Sequence, residues 1–386
     1  MISSDYSRLC NDCILCGRCL EVCPLFQSTN DEEYSPRAKA FLLQLLSISN
    51  ETLSNGHVRK LAGICLSCGR CTQACPQNID LPTALAKFKS ESPSWKSWLW
   101  SCLIRSMPKT LPILSHSAPA LSPFLMGDTK NRLLALKEKS HHILTLRFHS
   151  IRSSYKNEQA LLFPGCIARY AKKKWIKTAY RILYMSGLNV LGMPDWSCCG
   201  YSIQQAGLLE TSRTMQENNL SIWRSYGKPY IMTFCATCRH ALEGMVNADL
   251  NWHDNEKDEW LQSIVTISSL LNTSEISLSL YKSLRSAIFL HHSCHARSDV
   301  WQWLMKNAPV TVDFGTIDKC CGLGGSLILE RPEMLQPVVA DLWSSVHSYR
   351  DGLLLTACNG CDYQLTTFNP WNFETGHWLD FVEIHD

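Results

Sequence analysis

Four runs of cysteine constrain this chain more than any other feature of it. Cys13, Cys16, Cys19 and Cys23 follow one another at x2, x2 and x3 spacing and are closed by Pro24, and Cys65, Cys68, Cys71 and Cys75 repeat that spacing before Pro76. A third run is Cys166, Cys198, Cys199, Cys235 and Cys238, with Gly200 after the adjacent pair. The fourth is Cys294, Cys320, Cys321, Cys358 and Cys361, with Gly322 in the same position. Eighteen of the 20 cysteines lie in these runs. The opening residues, Met1 to Cys10, contain no apolar stretch, so no secretory signal peptide is expected. Thiols in a reducing compartment are metal ligands more often than disulfide partners.

Three thiolates at two-residue gaps fit three irons of one cubane, and a fourth, displaced along the chain before a proline, points elsewhere. In two-cluster ferredoxins that fourth cysteine ligates the other cluster. Cys13, Cys16, Cys19 and Cys75 are therefore expected to hold one [4Fe–4S] cluster, and Cys65, Cys68, Cys71 and Cys23 the second. Zinc is the alternative, but its structural sites use two separated pairs. It explains neither the third cysteine at the same step nor the repeated Cys-Pro ending. Cys10 extends the first run by one more step and reads as a bystander. The 41 residues between Cys23 and Cys65 read as helical. Ser35 and Pro36 supply an N-cap and a first-turn proline for a helix through Ala40, Phe41, Leu42 and Leu45.

Residues 91–155 change character and read as a linker with one amphipathic helix. Trp95, Trp98, Leu99, Trp100, Leu103 and Ile104 form an apolar stretch broken by Pro108 and Pro112, with Cys102 among them as a small buried thiol. At about ten residues this stretch is too short to span a bilayer. It suits either docking to a partner or packing on the chain's own core. A basic stretch follows, with Lys130, Arg132, Lys137, Lys139, Arg147 and Arg152. It suits an anionic surface or a solvated face.

From residue 156 the pattern becomes strand, helix, strand. Ala160–Phe163, Asn189–Gly192 and Tyr230–Phe234 read as short buried strands. Residues 168–186 read as a helix with Trp175, Ala179 and Ile182 on one face and Gly187 at C′. The order returns with Ala287–His291, Val310–Phe314 and Leu353–Thr356. Cysteines of the two copies are offset by 128, 122 and 123 positions, from Cys166 to Cys294, Cys199 to Cys321 and Cys238 to Cys361. This internal repeat predicts two related α/β domains. The expected organisation is a two-cluster ferredoxin domain over 1–90, a linker over 91–155, and repeat domains over 156–280 and 281–386.

Each repeat offers five thiols. Adjacent cysteines do not both fit one tetrahedral ion, but they can bridge or cap neighbouring irons of a larger cluster. The glycine after each pair lets backbone N–H groups approach sulfide, and Gly322, Gly324 and Gly325 could form an anion-binding nest. Cys235-x2-Cys238 and Cys358-x2-Cys361 precede helical sequence, and helix N-termini favour thiolate and an anionic cluster.

At these residues the chain resembles the CCG-domain iron–sulfur family: the B or D subunit of heterodisulfide reductase, the C subunit of anaerobic glycerol-3-phosphate dehydrogenase, and the iron–sulfur subunits of glycolate and lactate oxidation. The first ninety residues resemble the α-helical ferredoxin domain of succinate dehydrogenase-type subunits. The resemblance implies an α-helical two-cluster ferredoxin domain followed by two Rossmann-like α/β CCG domains. It implies one or two noncubane [4Fe–4S] clusters, one on Cys166, Cys198, Cys199, Cys235 and Cys238, the other on Cys294, Cys320, Cys321, Cys358 and Cys361. In the shorter first gap of the second set, a cubane or zinc stays open. The implied function is electron transfer within an anaerobic or respiratory oxidoreductase. The alternative is a catalytic heterodisulfide reductase, which two complete Cys-x2-Cys pairs favour over a relay. A non-redox zinc scaffold is the third possibility.

The remaining features narrow the partners. Net charge is +3, so no strong field calls for nucleic acid. Charged residues are 18% of the chain, below the roughly 25% of ordinary domains, and there are 13 Trp. Burial against other subunits and large cores both account for that. No Gly-x-Gly-x-x-Gly fingerprint appears, so flavin or NAD is expected on another subunit, a flavin dehydrogenase or a membrane quinone- or haem-binding partner. A cytoplasmic location at the inner membrane face, reached only through a partner, follows from the missing span. His291, His292 and His295 flank Cys294. They read either as proton donors for disulfide or quinone chemistry or as groups that hydrogen-bond backbone at the strand end.

Overall fold

The computed structural model describes residues 10, 12–48, 60–61, 63–139, 143–150, 155–280, 287–309, 312, 314–347, 349, 352–371 and 373–385. Residues 1–9, on which the signal-peptide expectation rests, lie outside them, as do Arg152 and, from one expected strand, Val310, Thr311 and Asp313. The chain divides into two compact units. Unit 1 comprises Met1–Arg105 with two later segments, Gly200–Ser212 and Lys319–Ser344; unit 2 comprises Ser106–Cys199, Arg213–Asp318 and Ser345–Asp386.

The described part of unit 1 is helical. Ser35 Oγ accepts from the Ala38 amide at 3.0 Å and Pro36 opens the helix Pro36–Ile48, as its sequence requires. Asp80 caps the helix Leu81–Ser90 through the Thr83 amide at 3.2 Å. Ala40 and Leu43 of the first helix and Leu81, Ala84, Leu85 and Phe88 of the second bury one another, with Ile79 and Cys10 in the same core. Both later segments join this body. The helix Leu335–Ser344 packs on Pro24–Thr29, and Tyr201–Gln205 packs on Leu81–Ser90. Gly207 is required at the second contact. Its φ is +84°, and a Cβ there would stand 2.7 Å from Lys89 Cβ.

Unit 2 holds eleven strands among the described residues: β1 Leu144–Ser150, β2 Gln159–Phe163, β3 Asn189–Gly192, β4 Tyr230–Thr233, β5 Ile264–Thr266, β6 Glu275–Leu280, β7 Ala287–His291, β8 Phe314–Ile317, β9 Gly352–Thr356, β10 Glu374–His377 and β11 Val382–His385. Two four-stranded parallel sheets run β3-β2-β4-β5 and β8-β7-β9-β10, so each repeat places its second, first, third and fourth strands side by side. The shared order is the structural form of the sequence repeat. β1 joins the ends of both repeats in a third sheet, pairing parallel with β11 and antiparallel with β6.

Several details differ from the sequence reading. The stretch beginning at Trp95 is not broken by proline; one helix runs from Trp95 to Leu121 through Pro108, Pro112 and Pro119. Burial of Ser97, Ser101, Ile104, Leu111 and Ala118 along it offsets the lost backbone bonds. That same phase turns Cys102 outward with Trp95, Trp98 and Leu99, so Cys102 is exposed rather than buried. The described part of the expected strand Val310–Phe314 meets β8 at Phe314, and within β8 the Phe289 ring lies over Gly315, where a Cβ would stand 2.5 Å from it. Among the described residues no helix is long and apolar enough to cross a membrane.

The helix expected over 168–186 is two, Cys166–Ala171 and Lys173–Met185, turning at Lys172. Trp175 begins the inner face of the second. It is fully buried, stacked on His377 at 4.6 Å and edge-on to Phe234 at 6.5 Å. Trp175→Ala should cost about 3–5 kcal/mol. A urea melt checks this, with the midpoint falling and the slope unchanged.

Candidate metal centres

Unit 1 presents two thiol-lined pockets. One is lined by Cys13, Cys16, Cys19 and Cys75 together with Gly17, Ile79 and Arg37. The other is lined by Cys23, Cys65, Cys68 and Cys71 together with Gly69, Leu81 and Lys39. Each pocket therefore draws three thiols from one run and the proline-flanked thiol from the other. Cys23 is the N-cap of the six-residue helix Pro24–Thr29, whereas Cys75 sits in a turn closed by Asn78 N–H to its carbonyl at 3.1 Å. Cys10 belongs to the core beside them, and burial pushes its thiol up to about 12.

Burial is the largest influence on Cys23, Cys68 and Cys71 of the second, more buried (inner) pocket, raising each, and in the first (outer) pocket, which holds the exposed Cys16, it raises Cys19 to about 11. Unaided, such thiols stay protonated; a multivalent cation is what makes a buried thiolate stable. Lys39 gives the converse signal. It is 3% exposed, its Nζ donates to the Tyr34 carbonyl at 2.6 Å, and among the described residues no carboxylate forms an ion pair with it. Burial lowers its pKa, and Cys65, Cys23 and Cys71 act the other way. A buried ammonium beside four thiols is balanced if an anionic iron–sulfur cluster shares the pocket. Cys65 also receives the Ser67 amide at 3.4 Å. The residues present thus fit a [4Fe–4S] cluster, which would exchange single electrons. Among the described residues no three His, Cys, Asp or Glu side chains are set for a single metal ion.

The turn after Cys65 is also where the two later segments of unit 1 converge. Tyr201 donates its hydroxyl to the Ser67 carbonyl at 2.5 Å. Gly324, at φ +61°, leaves room for Leu66, whose Cδ2 a Cβ would meet at 2.9 Å. After burial, the charge felt most by Cys68 is that of Cys320. Cys320 in turn receives the Gly322 amide at 3.4 Å, and Gly322, Gly324 and Gly325 all have left-handed backbone. Cys320 and Cys321 thus belong to unit 1, whereas Cys294, Cys358 and Cys361 belong to unit 2.

In unit 2 the thiols of the third run and the last pair of the fourth form a connected array. Cys166 shares a hydrogen bond with Cys198, which, ahead of burial, raises its pKa. Cys238 is raised first by its hydrogen bond to Cys199 and then by that to Cys235. Cys235 is drawn down by Cys238 but raised more by Cys358 and burial. Cys358 is held well below an ordinary thiol by bonds from Cys235, Cys361 and Thr237. Cys235 and Cys358 are the N-caps of the helices Ala236–Gly244 and Asn359–Thr367, and the Ala236 amide donates to the Ala357 carbonyl at 3.0 Å. The two Cys-x2-Cys turns therefore lie together, at two helix N-termini suited to an anionic cluster.

The histidines separate. His291 pairs its Nδ1 with Thr356 Oγ1 at 3.1 Å, and His292 pairs its Nε2 with the Arg297 carbonyl at 3.1 Å. His295 stands nearer the thiols: its Nδ1 is 3.2 Å from Thr237 Oγ1, which is 3.3 Å from Cys358 Sγ, and it stacks on His240 at 4.5 Å. Lys39 escaped the sequence reading because only tertiary folding brings it to thiols; Thr237 and Asn359 lie inside the two Cys-x2-Cys motifs, but their contacts with Cys358 and with Pro164 are tertiary. Asn359 donates to the Pro164 carbonyl at 2.9 Å, fixing the turn before Cys166. His377 also escaped it; burial lowers it to about 4, so it is neutral at pH 7.

Gly165 makes the array possible. Its φ of +77° and ψ of 168° suit glycine alone, and a Cβ would stand 2.8 Å from Cys238 Sγ. If the unit 2 thiols hold iron, Gly165→Ala should release it while the iron of the dicluster domain remains. Iron analysis and spectroscopy of the full chain check this.

Comparison with known proteins agrees with the geometry. A 4Fe-4S dicluster domain matches residues 10–79, and a cysteine-rich (CCG) domain matches residues 160–243 and again 288–366. The chain is 22% identical to an uncharacterized iron–sulfur protein of Methanococcus maripaludis over 78% of its own length and 56% of that protein, so it spans little more than half of that relative. It is 21% identical to the glycolate oxidase iron-sulfur subunit of Escherichia coli, over 96% of this chain and 93% of the relative. To the B subunit of the fumarate reductase (CoM/CoB) of Methanothermobacter marburgensis it is 20% identical, over 92% and 67%. The chain is an iron–sulfur protein made of a helical 4Fe-4S dicluster domain and two CCG domains, distantly related to the iron–sulfur subunits of oxidoreductases.

Proposed function

We propose that this chain is the electron-transfer subunit of a multi-subunit oxidoreductase of anaerobic or respiratory metabolism, at the inner face of a membrane through a partner. Residues 1–90 act as a two-cubane wire, with Cys13, Cys16, Cys19 and Cys75 on one cluster and Cys65, Cys68, Cys71 and Cys23 on the other. The CCG domains act as its junction, with noncubane clusters on their cysteines. Flavin or nicotinamide chemistry belongs to another subunit. The observation that carries the reading is the meeting of the Leu66–Ser67–Cys68 turn with Tyr201, Gly324 and Cys320, each within a Cys-Cys-Gly sequence or no more than two residues after one. Its near full-length likeness to a glycolate oxidase iron-sulfur subunit supports the same role.

A second reading, catalytic disulfide reduction, is favoured by one observation. Both Cys-x2-Cys pairs are complete and adjacent, through the bond between Cys235 and Cys358. There His295, reaching Cys358 through Thr237, would supply a proton to a departing thiolate.

Anaerobic purification from the cells that make the chain separates these readings. The relay predicts a stoichiometric flavoprotein or membrane quinone- or haem-binding partner whose substrate reduces the ferredoxin clusters. If the chain alone turns over a mixed disulfide with reduced viologen, the second reading replaces it. Zinc in place of iron would overturn both.

A further inference from the structure

The helix Pro36–Ile48 presents one cation to each ferredoxin pocket, and the two cations are not equivalent. Arg37 and the solvent-exposed Arg18 line the pocket of Cys13, Cys16, Cys19 and Cys75, and Arg37 lies beside Gly17, where a Cβ would stand 3.5 Å from its Nη1. Its charge is already answered: Nε and Nη2 both meet Glu32 Oε1 at 3.1 Å, and its side chain is 38% exposed. Water and a carboxylate leave little of that charge for a cluster. Lys39, two residues on, lines the pocket of Cys23, Cys65, Cys68 and Cys71. It is buried, has the Tyr34 carbonyl as hydrogen-bond acceptor, and among the described residues forms no ion pair with a carboxylate. The other ammonium near it is Lys89, whose Nζ donates to the Gln205 carbonyl at 3.1 Å.

A cluster that takes up an electron gains a negative charge. An unscreened cation in a low-dielectric pocket favours that reduced state far more than a solvated, paired one does. We propose that Lys39 sets the cluster of Cys23, Cys65, Cys68 and Cys71 at a higher reduction potential than the cluster of Cys13, Cys16, Cys19 and Cys75. Electrons then settle on the inner cluster, whose Cys68 lies beside Cys320. In the step between the cubanes the outer cluster is oxidised by one electron and the inner one reduced by one, with no bond made or broken. Lys39 acts through the field it places on the cluster and is a positioning residue for charge, not a ligand. The inference rests on the two-cubane reading above.

An EPR-monitored redox titration of the anaerobically prepared full chain tests it. In the unaltered chain, the signal that Cys23→Ser perturbs should have the higher midpoint potential, and the reverse order overturns the proposal without any Lys39 variant. Lys39→Met should lower the reduced-to-oxidised ratio of that cluster at least tenfold at a fixed ambient potential, about 59 mV for a one-electron couple. The other cluster should be unmoved. Lys39→Arg, which keeps the charge, should restore most of the ratio. Unchanged potentials in Lys39→Met with both clusters assembled, or equal shifts in both, would also overturn it. Absence of both cubanes from the unaltered chain would instead refute the two-cubane reading on which it rests.

Discussion

Burial of thiols beside cationic and polar groups is the interaction on which the rest of this molecule depends. A hydrophobic core tolerates a neutral thiol readily, but four thiols around one pocket with a buried ammonium are another matter. Lys39 faces Cys23, Cys65 and Cys71, and in unit 2 hydrogen bonds pair Cys166 with Cys198, Cys238 with Cys199 and Cys235, and Cys358 with Cys235 and Cys361. Metal binding of this kind is coupled to folding, because the ligands are fully satisfied only when the cofactor is present. The short helices Pro24–Thr29 and Arg70–Gln73 bury too little surface to stand alone, which makes them parts of a cofactor cage rather than of an independent core.

The way the chain is threaded follows from that demand. Unit 1 is completed by Gly200–Ser212 and Lys319–Ser344, which begin at or just before the glycine of each Cys-Cys-Gly sequence. Both segments pack near the Leu66–Ser67–Cys68 turn, through Tyr201 and Gly324. A repeat domain that only stored a cluster would have no physical reason to lend its loop to a ferredoxin. The electron exchange proposed above would give one, because electron transfer needs short gaps between redox centres. The glycines at these joints have backbone or close contacts that a side chain would disturb, so the contact is built rather than incidental.

Much of this was legible in the sequence because its signals are local. The x2, x2, x3 spacing and the proline after it group Cys23 with the pocket of the second run and Cys75 with that of the first. The repeat offsets anticipate two parallel sheets of one strand order. What escaped is tertiary. Nothing local marks Lys39 as buried, since a lysine after Ser-Pro-Arg-Ala reads as a solvated helix position. Nothing local joins Cys235 to Cys358 across more than a hundred residues. The helix Trp95–Leu121 defeats the proline rule because one face is buried along its length, and Cys102 follows it outward. Propensity yields to packing at such places.

On the function proposed, these thiols hold polynuclear iron–sulfur centres in both the dicluster and the CCG domains. Mössbauer spectroscopy of the full chain, grown on enriched iron and purified without oxygen, tests it most directly. Cubane subspectra should appear together with a further iron component of different coordination, with more iron than the roughly eight atoms two cubanes contain. Cubane signals alone, with zinc recovered from the remaining cysteines, would contradict it.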